Sequence, residues 1–307
     1  MSLQVIFLGT AGSIPTPKRS LPAILIKRKD EQIMFDCGEG TQRQLILAGA
    51  SFHRKMKIFI THMHGDHVLG VPGLIQTMSL HDRKNKLEIY GPPGIEAFLE
   101  CIRGTVPFSL SFPIETHEIR DAGVVCSEDE YIVEAIWADH VVPSLAYALV
   151  EKTRPGKFYP EKARALGVPE GPLWHKLQHG EEIKLPDGRI IKPMDVTGPP
   201  RPGRKIVYTG DTRPFKDLAK IAKKADLLIC EATFGDELSE RAEEDGHSTP
   251  VQAARIAKKA KVKRLVLTHI SARYNETSAL LEQAKKIFKN TLVAEDFMKI
   301  NIPFSEE

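Results

Sequence analysis

The sequence predicts an α/β fold in which strands alternate with helices around one inserted, irregular segment. Three observations lead to this prediction. Short apolar runs rich in β-branched residues recur along most of the 307 residues. Stretches with apolar residues at helical spacing lie between several of these runs, and a segment dense in proline and glycine interrupts both patterns. Alternation of this kind is typical of sheets that carry helices on their outer faces.

The apolar runs have the length of strands, and several of them stop at Gly, Asp or His. In chain order they are LQVIFLG, PAILIKR, QIMFDCG, KIFITH, KLEIYG, YIVEAIWADH, SLAYALVE, KIVYTGD, DLLICE and RLVLTH. The helical patterns are GTQRQLILAG, VPGLIQTMSLHDR, GIEAFLECIRG, PVQAARIAKKAK and ETSALLEQAKKIFKN. The last two follow residues that commonly begin helices. We therefore expect several strands per sheet, with helices outside.

The inserted segment, residues 151–205, differs in composition from the rest of the chain. It holds nine of the 21 prolines and seven of the 22 glycines, a density that disfavours regular packed elements. It has twelve Lys and Arg against seven Asp and Glu, whereas the whole chain has a net charge of only +3. One interpretation is a solvated loop with a hairpin at the Asp-Gly turn of EEIKLPDGRIIKP. The preferred one is a basic arm with a function, because loops of this length are usually functional.

The bulk composition excludes several classes of protein. With 42% hydrophobic and 27% charged residues the chain is ordinarily globular, and we expect one domain over residues 1–307 that carries the arm. The four cysteines are scattered with no CxxC, which disfavours a disulfide framework and a cysteine zinc site. The N-terminal residues lack signal-peptide features, and no apolar run approaches about 18 residues. We therefore predict a cytoplasmic protein without a membrane span.

The stretch THMHGDH, residues 61–67, places three histidines and an aspartate directly after an apolar run. His62 and His64 alternate, so both can face one side of an extended segment. Asp66 and His67 follow a glycine, which permits a sharp turn. Imidazole nitrogens with a carboxylate suit Zn²⁺, with Mn²⁺ or Fe as alternatives. One loop can therefore supply two adjacent metal ions.

Three other predicted strands end in residues of the same kind, at His140, Asp211 and His269. Because binding clefts in α/β sheets commonly lie at strand ends, these side chains are expected to converge on one cleft. A lone histidine after a strand is usually a surface residue, but this combination indicates a metal centre. A purely structural zinc is disfavoured, since such sites are closed and rich in cysteine.

This pattern resembles the metallo-β-lactamase superfamily, whose hallmark is HxHxDH. Further segments narrow the resemblance to the RNase Z family of tRNA 3′-processing endonucleases: LGTAGSIPTPKRS, FDCGEGTQRQL, YTGDTRP, CEATF, HST at 247–249, THISARY and GVPEGPLWHKLQHGE. The resemblance covers essentially the whole chain. It implies the metallo-β-lactamase fold, an αββα sandwich of two mixed β-sheets with helices on the outer faces, together with an inserted tRNA-binding arm.

The resemblance also implies two Zn²⁺ ions per subunit, with Mn²⁺ as an alternative. The implied ligands are histidines and aspartates at strand ends: His62, His64 and His140 for one ion, Asp66, His67 and His269 for the other, and Asp211 as a bridge. Asp36, in FDCGEG, matches the first motif of the family. We expect it to orient the metal loop without binding metal.

Phosphodiester cleavage needs an activated water, neutralised phosphoryl oxygens and a protonated leaving group, and two close metal ions can supply the first two. Asp66 would accept a proton from the water, a role that the family assigns to it. His247, in HST, would act as the general acid that protonates the leaving 3′ oxygen. Glu231, in CEATF, would orient His247 through a hydrogen bond.

Substrate contacts are expected from basic residues and from the arm. Lys18, Arg19 and Arg273 would meet the tRNA backbone or its acceptor end, which positions the substrate without reading sequence. Gly171 and Pro172 match the Gly-Pro of the family's tRNA-binding arm. By resemblance the protein is a homodimer, in which the arm of one subunit clamps precursor tRNA for the active site of the other.

The sequence departs from the family at Ser20, where the PxKxRN pattern has Asn. This departure concerns the discrimination of tRNA 3′ ends, including CCA, and not the metal chemistry. Two alternative enzymes are a general phosphodiesterase and a small-molecule thioester or ester hydrolase of the same fold. A non-catalytic RNA-binding module is a further alternative, which the complete ligand set disfavours.

Overall fold

The computed structural model describes residues 3–304. Its strands, in chain order, are β1 (Leu3–Gly9), β2 (Ala11–Gly12), β3 (Ala23–Arg28), β4 (Glu31–Phe35), β5 (Lys55–Phe59), β6 (Leu87–Gly91), β7 (Ile114–Glu118), β8 (Gly123–Ser127), β9 (Tyr131–Ala138), β10 (Ser144–Glu151), β11 (Ile183–Lys184), β12 (Ile190–Ile191), β13 (Lys205–Tyr208), β14 (Leu227–Glu231), β15 (Leu265–Thr268), β16 (Ile270–Ser271), β17 (Thr291–Val293) and β18 (Lys299–Asn301).

The helices are α1 (Thr41–Leu47), α2 (Gly65–Val68), α3 (Gly70–Leu80), α4 (Ile95–Thr105), α5 (Pro160–Ala165), α6 (Pro172–Gln178), α7 (Pro193–Val196), α8 (Leu218–Ile221), α9 (Ser239–Asp245), α10 (Pro250–Ala260) and α11 (Ser278–Lys285). A 3₁₀ turn, Asp236–Leu238, precedes α9.

Two seven-stranded sheets form the framework. The N-terminal sheet has the order β18-β1-β3-β4-β5-β6-β7, and the C-terminal sheet has the order β17-β15-β14-β13-β10-β9-β8. The N-terminal sheet is antiparallel among β18, β1, β3 and β4 and parallel from β4 to β7. In the C-terminal sheet β13, β14, β15 and β17 are parallel, whereas β8 and β9 are antiparallel. Both sheets are therefore mixed, as predicted.

The strands at the centre of the N-terminal sheet are buried on both faces. On one face Met34 of β4 and Ile58 of β5 pack in one cluster with Leu45 of α1, Leu74 of α3 and Leu99 of α4. Because side chains alternate along a strand, the residues between them point to the other face. Each fully buried leucine or isoleucine contributes about 1.5–3 kcal/mol to folding. The apolar runs of the sequence thus become core strands covered by helices.

The other face of these strands carries an aromatic layer that joins the two sheets. The rings of Phe35 on β4 and Tyr147 on β10 stack with centroids 5.7 Å apart, and Phe35 lies equally close to Tyr208 on β13. The hydroxyl of Tyr147 donates a hydrogen bond to the carbonyl of Ile60, just beyond β5. Helices α10 and α11 pack on strands of the C-terminal sheet. The layers are helix, sheet, sheet and helix, which confirms the predicted sandwich.

The described chain forms two compact units. The main unit comprises residues 3–128, 132–149 and 205–303, and the inserted unit comprises residues 129–131, 150–204 and residue 304. Within residues 3–304, none of the helices has the length and apolar character that crossing a membrane requires.

The inserted unit is a packed structure, so the expectation that its composition would disfavour regular elements is wrong. Its prolines begin α5, α6 and α7 at the first helical turn, where a missing N–H is tolerated. The predicted hairpin is confirmed, since β11 pairs antiparallel with β12 and Gly188 between them has a φ of 87°. The buried core of this unit consists of Ala163, Val168, Leu177, Ile183, Leu185, Ile191 and Val196.

Candidate metal centre and active site

The predicted metal-binding residues follow the carboxyl ends of four strands in the main unit. In chain order these positions are His62 and His64 after β5, His140 after β9, Asp211 after β13 and His269 after β15. Asp66 and His67 lie in the first turn of α2, which Gly65 begins. The glycine therefore opens a helix instead of forming the expected sharp turn.

One group of nitrogen atoms comes from three histidines. Nε2 of His62 lies 3.1 Å from Nδ1 of His64, which in turn lies 3.4 Å from Nε2 of His140. All three side chains can offer a ligand atom to one common ion. His62 is fully buried, whereas the other two are partly exposed. Such a group has one face open to a further ligand.

A second group combines two imidazole nitrogens with two carboxylate oxygens at separations that suit metal ligands. Its atoms are Nε2 of His67, Nε2 of His269, Oδ2 of Asp66 and Oδ2 of Asp211, and five of their six separations lie between 3.2 and 3.4 Å. Four ligands at the zinc–nitrogen and zinc–oxygen bond lengths of about 2.0–2.2 Å would be roughly 3.3–3.6 Å apart in a tetrahedron. The residues present therefore fit a divalent ion.

Asp211 is placed to serve both groups. Its Oδ2 lies 3.2 Å from Nε2 of His269 and 3.8 Å from Nε2 of His62, which belong to different groups. Its Oδ1 is buried and has no hydrogen-bond partner among the described residues. A buried carboxylate oxygen without a partner is costly unless a cation or a proton satisfies it. This orphaned atom supports a bridging role for Asp211.

Asp36 holds two of the histidines in place, His67 directly and His62 through Thr61. Its side chain is fully buried, accepts hydrogen bonds from Nδ1 of His67 and the hydroxyl of Tyr208 at 2.8 Å each, and accepts others from Thr61. Because the hydroxyl of Thr61 donates to Asp36, it must accept from Nδ1 of His62, 3.0 Å away. Both imidazoles therefore keep the lone pair of Nε2 for the metal centre.

Two further contacts fix His140 and His269 in the same way. Nδ1 of His140 donates to the carbonyl of Gly246 at 2.7 Å. The hydroxyl of Thr233 donates to Glu231 at 2.8 Å and so accepts from Nδ1 of His269 at 2.7 Å. Gly246 has a φ of 82°, and a Cβ there would lie 2.7 Å from Nδ1 of His140. This position therefore requires glycine.

Electrostatics in this cluster favour a neutral His62 and ionised carboxylates, which attract a cation. Burial lowers the pKa of His62 well below its ordinary value. Burial alone would raise the pKa of Asp66 and Asp211, but the adjacent His67 and His269 outweigh it and hold both well below the ordinary value. Burial also opposes a charge on His67, yet Asp211 and the carboxylate bonded to its Nδ1 raise its pKa well above the ordinary value.

His247 lies beside the metal-binding group and is bound to Glu231. Its Nδ1 is 2.9 Å from Oε1 of Glu231 and 3.9 Å from Oδ2 of Asp211. Burial lowers the pKa of His247, but the charge and hydrogen bond of Glu231 outweigh burial and raise the pKa to about 9. The other oxygen of Glu231 accepts from Thr233. One carboxylate thus contacts the acid candidate directly and a metal ligand through a hydroxyl group.

The predicted substrate-binding residues lie in several places. Lys18 is exposed and 3.6 Å from Glu276, whereas Arg19 donates to Thr10 and to the carbonyl of Ala294. Part of the Arg19 guanidinium is therefore engaged within the main unit. Arg273 is exposed on the segment after His269, with its Nε donating to Ser271 at 3.2 Å.

Gly171 and Pro172 are both exposed in the inserted unit, where Gly171 precedes α6 and Pro172 opens it.

Sequence reasoning missed four residues that hold the ligands in place: Thr61, Thr233, Tyr208 and Gly246. Thr233 stands two residues after Glu231, within CEATF, so the period of two along an extended segment could have placed them on one side. Tyr208 contacts Asp36, which is 172 positions away in the sequence, and Gly246 contacts His140, which is 106 positions away. No local sequence pattern indicates such pairings.

Comparison with known proteins places the fold and the family. A family model described as "Anti-Pycsar protein Apyc1" matches residues 3–149, and one described as "Beta-lactamase superfamily domain" matches residues 173–270. The chain is 48% identical to Ribonuclease Z of Methanosarcina acetivorans, over 99% of this chain and 100% of that protein. It is 47% identical to Ribonuclease Z of Haloferax volcanii, over 100% of this chain and 97% of that protein.

Solved structures agree with these relatives. Human tRNase Z, short form, superposes with a TM-score of 0.72 at 32% identity, over 98% of this chain and 100% of that one. The metallo-β-lactamase fold protein YhfI of Bacillus subtilis superposes with a TM-score of 0.69 at 18% identity, over 98% of this chain and 100% of that one. The chain has the metallo-β-lactamase fold, as its HxHxDH motif predicts.

Proposed function

The chain belongs to the ribonuclease Z family, and we propose that it removes the 3′ trailer from precursor tRNA. The cut falls after the discriminator base and leaves a 3′ hydroxyl on the tRNA and a 5′ phosphate on the trailer. One observation carries the proposal. Imidazole nitrogens and a carboxylate oxygen 3.2–3.4 Å apart lie beside His247, whose Nδ1 is bound to the buried Glu231.

Two Zn²⁺ ions in each subunit would be held by the two groups, with Asp211 between them and Mn²⁺ as an alternative metal. When bound, such ions lower the pKa of a water molecule and neutralise the phosphoryl oxygens. Every histidine that would hold them except His64 has Nδ1 engaged in a hydrogen bond within the protein. These contacts set the ring orientation before any ion arrives, which favours tight binding.

Two residues carry out the proton transfers: one takes a proton from the attacking water, and the other gives a proton to the leaving oxygen. Asp66 is partly exposed among the metal-binding side chains, and it accepts the proton that the attacking water loses. The backbone N–H of Ser13 donates to Oδ2 of Asp66 at 3.0 Å and holds that oxygen in place. His247 gives a proton to the 3′ oxygen as the bond to phosphorus breaks. Glu231 keeps His247 charged and fixes its ring.

Precursor tRNA contacts the enzyme through phosphates. Arg273 lines the same cavity as His247, and Lys18 and Arg19 line a second cavity that Ser271 shares with the first. The inserted segment, residues 151–205, adds the exposed Gly171 and Pro172 and a surplus of basic residues. The protein works as a homodimer in the cytoplasm, with the inserted unit of one subunit holding tRNA for the active site of the other. The excess of positive charge in residues 151–205 suits a polyanionic substrate better than a small ester or thioester.

A metal-depletion experiment tests this proposal. The protein is stripped with a chelator, reloaded with Zn²⁺ or Mn²⁺ and assayed on a 3′-extended precursor tRNA, while bound metal per chain is measured by elemental analysis. We expect no cleavage without metal and recovery with about two ions per chain. If the reloaded protein leaves the precursor intact but cleaves simple phosphodiesters or thioesters, a different hydrolase activity replaces the proposed one.

A further inference from the structure

A cavity of about 460 Å³ opens beside His247 in the main unit, and none of the proposed metal ligands lines it. Its lining includes Ile14, Val141, Phe234, Arg241 and Arg273. Arg241 lies on α9 and belongs to none of the motifs that mark the active site in the sequence. The combination of one ring, two guanidinium groups and two aliphatic side chains calls for a ligand with both a planar and an ionic part.

Phe234 forms a nearly buried floor beneath the two arginines. The guanidinium carbon of Arg241 lies 5.5 Å from the centre of the Phe234 ring, and that of Arg273 lies 5.1 Å from it. Only 5% of Phe234 is exposed, so a ligand meets the guanidinium groups more than the ring. A guanidinium packed over an aromatic ring is held flat, and such planes stack well with nucleic-acid bases.

Two large aliphatic side chains are exposed at the same cavity. Ile14 is 62% exposed and Val141 is 55% exposed, although each stands next to an active-site element in the sequence. Ile14 follows Ser13, whose N–H contacts Asp66, and Val141 follows His140. Apolar atoms exposed at a catalytic cavity indicate contact with an apolar part of the substrate.

Charge at the cavity separates the roles of the two arginines. Nε of Arg241 pairs with Oδ2 of Asp245 at 3.1 Å, and Glu244 also lines the cavity. A phosphate beside Arg241 would meet these carboxylates and be repelled. Arg241 is therefore suited to stack on a neutral base, whereas Arg273 is left for a phosphate.

We infer that this cavity binds the nucleoside on the retained side of the scissile bond, with its base stacked on Arg241. The inference rests on the proposed function, in which His247 protonates the leaving 3′ oxygen. That oxygen belongs to the last nucleotide of the mature tRNA body, and His247 itself lines the cavity. The base of that nucleotide therefore lies within reach of the Phe234–Arg241 stack. Stacking is tolerant of base identity, because every base has a planar face.

The test removes the base and the side chain in turn. One precursor is abasic at the retained nucleotide and another is abasic at the first trailer nucleotide, and kcat/KM is measured for both and for the intact precursor. The protein variants are Arg241→Ala and Arg241→Lys, which keeps the charge but not the plane. Arg255→Ala, at an exposed arginine of α10, is the matched control for loss of charge. The Arg241–Asp245 pair is exposed, so its loss should cost little stability.

Loss of the retained base should lower kcat/KM of the wild type and of Arg255→Ala by about tenfold. In both Arg241 variants the same loss should cost less than about twofold, because the stacking partner is already gone. Loss of the trailer base should have the same effect in all proteins. An unchanged penalty in the Arg241 variants overturns this inference alone, as does a penalty that disappears only at the trailer base. An inactive wild type overturns the proposed function together with it.

Discussion

In the proposed mechanism, the leaving-group chemistry depends on His247. His247 is not among the metal ligands of the proposed arrangement, and its Nδ1 is bound to Glu231. Replacement of His247 by Ala should lower kcat by about 10²–10⁴-fold, the usual contribution of a general acid. Metal content should stay at that of the wild type. His53→Ala, at an exposed loop histidine, should change neither quantity. A His247→Ala protein that has lost metal would assign His247 to the ligands instead.

The Glu231–His247 pair predicts a pH effect with a definite sign. The proposed mechanism requires protonated His247, so activity should be lost as pH rises through the His247 pKa, which Glu231 raises. Glu231→Gln removes the charge but keeps the shape, and the pKa should fall. The alkaline limb of the pH profile of kcat should therefore move to lower pH. A variant whose alkaline limb stays in place would show that another group sets it.

Thr233 connects Glu231 to the metal ligand His269 through one hydroxyl group. Thr233→Val keeps the shape but removes this hydroxyl, so Nδ1 of His269 loses its acceptor. We expect metal affinity to fall about 10–100-fold, as when other residues that hydrogen-bond to a metal ligand are replaced. Thr233→Ser should retain most of the affinity. Competition with a chromogenic chelator measures both variants, and equal affinities would exclude a positioning role for the hydroxyl group.

At the scale of elements, the strand ends explain why so much of the site could be predicted from sequence. β5, β9, β13 and β15 are apolar and regular, so each polar residue after them marks an end. Ends of strands in packed sheets meet at one edge, which brings His62, His140, Asp211 and His269 together. The sequence pattern does not predict the distances between the ligand atoms. These distances depend on how the two sheets pack through Phe35, Tyr147 and Tyr208.

The packed structure of the inserted unit, in contrast to the strand ends, could not be predicted from the sequence. Its density of proline and glycine predicts irregular structure, yet the prolines begin helices and a glycine closes a hairpin. Local composition could not reveal this, because the core that orders the unit joins residues from Ala163 to Val196. The surplus of basic residues, in contrast, was visible in the sequence.

That surplus predicts the salt dependence of tRNA binding. Lys157, Lys176 and Lys184 are exposed in the inserted unit, and their joint replacement by Gln should raise Kd for precursor tRNA. The slope of log Kd against log salt should fall by about 2, because a complex with fewer phosphate contacts releases fewer counterions when it forms. The matched control replaces the exposed Lys258, Lys259 and Lys285 of α10 and α11. An equal effect of both triple variants would mean that only net charge matters.

For the whole molecule, the proposed dimer predicts complementation between two defective proteins. One carries His247→Ala with an intact inserted unit, and the other carries the triple lysine replacement with an intact active site. In a mixed dimer the intact site is served by the intact inserted unit of its partner, so co-expressed subunits should cleave faster than the two proteins assayed separately and added. Activity equal to that sum would place the tRNA contacts and the active site in the same subunit.

In the proposed mechanism a water molecule attacks phosphorus while His247 protonates the leaving 3′ oxygen. Cleavage of a 3′-extended precursor tRNA in H₂¹⁸O, with both product ends mapped by mass spectrometry, tests this claim most directly. We expect one ¹⁸O atom in the 5′ phosphate of the trailer and an unlabelled 3′ hydroxyl after the discriminator base. A 2′,3′-cyclic phosphate on the tRNA, or an unlabelled trailer, would mean that the substrate's own 2′ hydroxyl is the nucleophile and would contradict it.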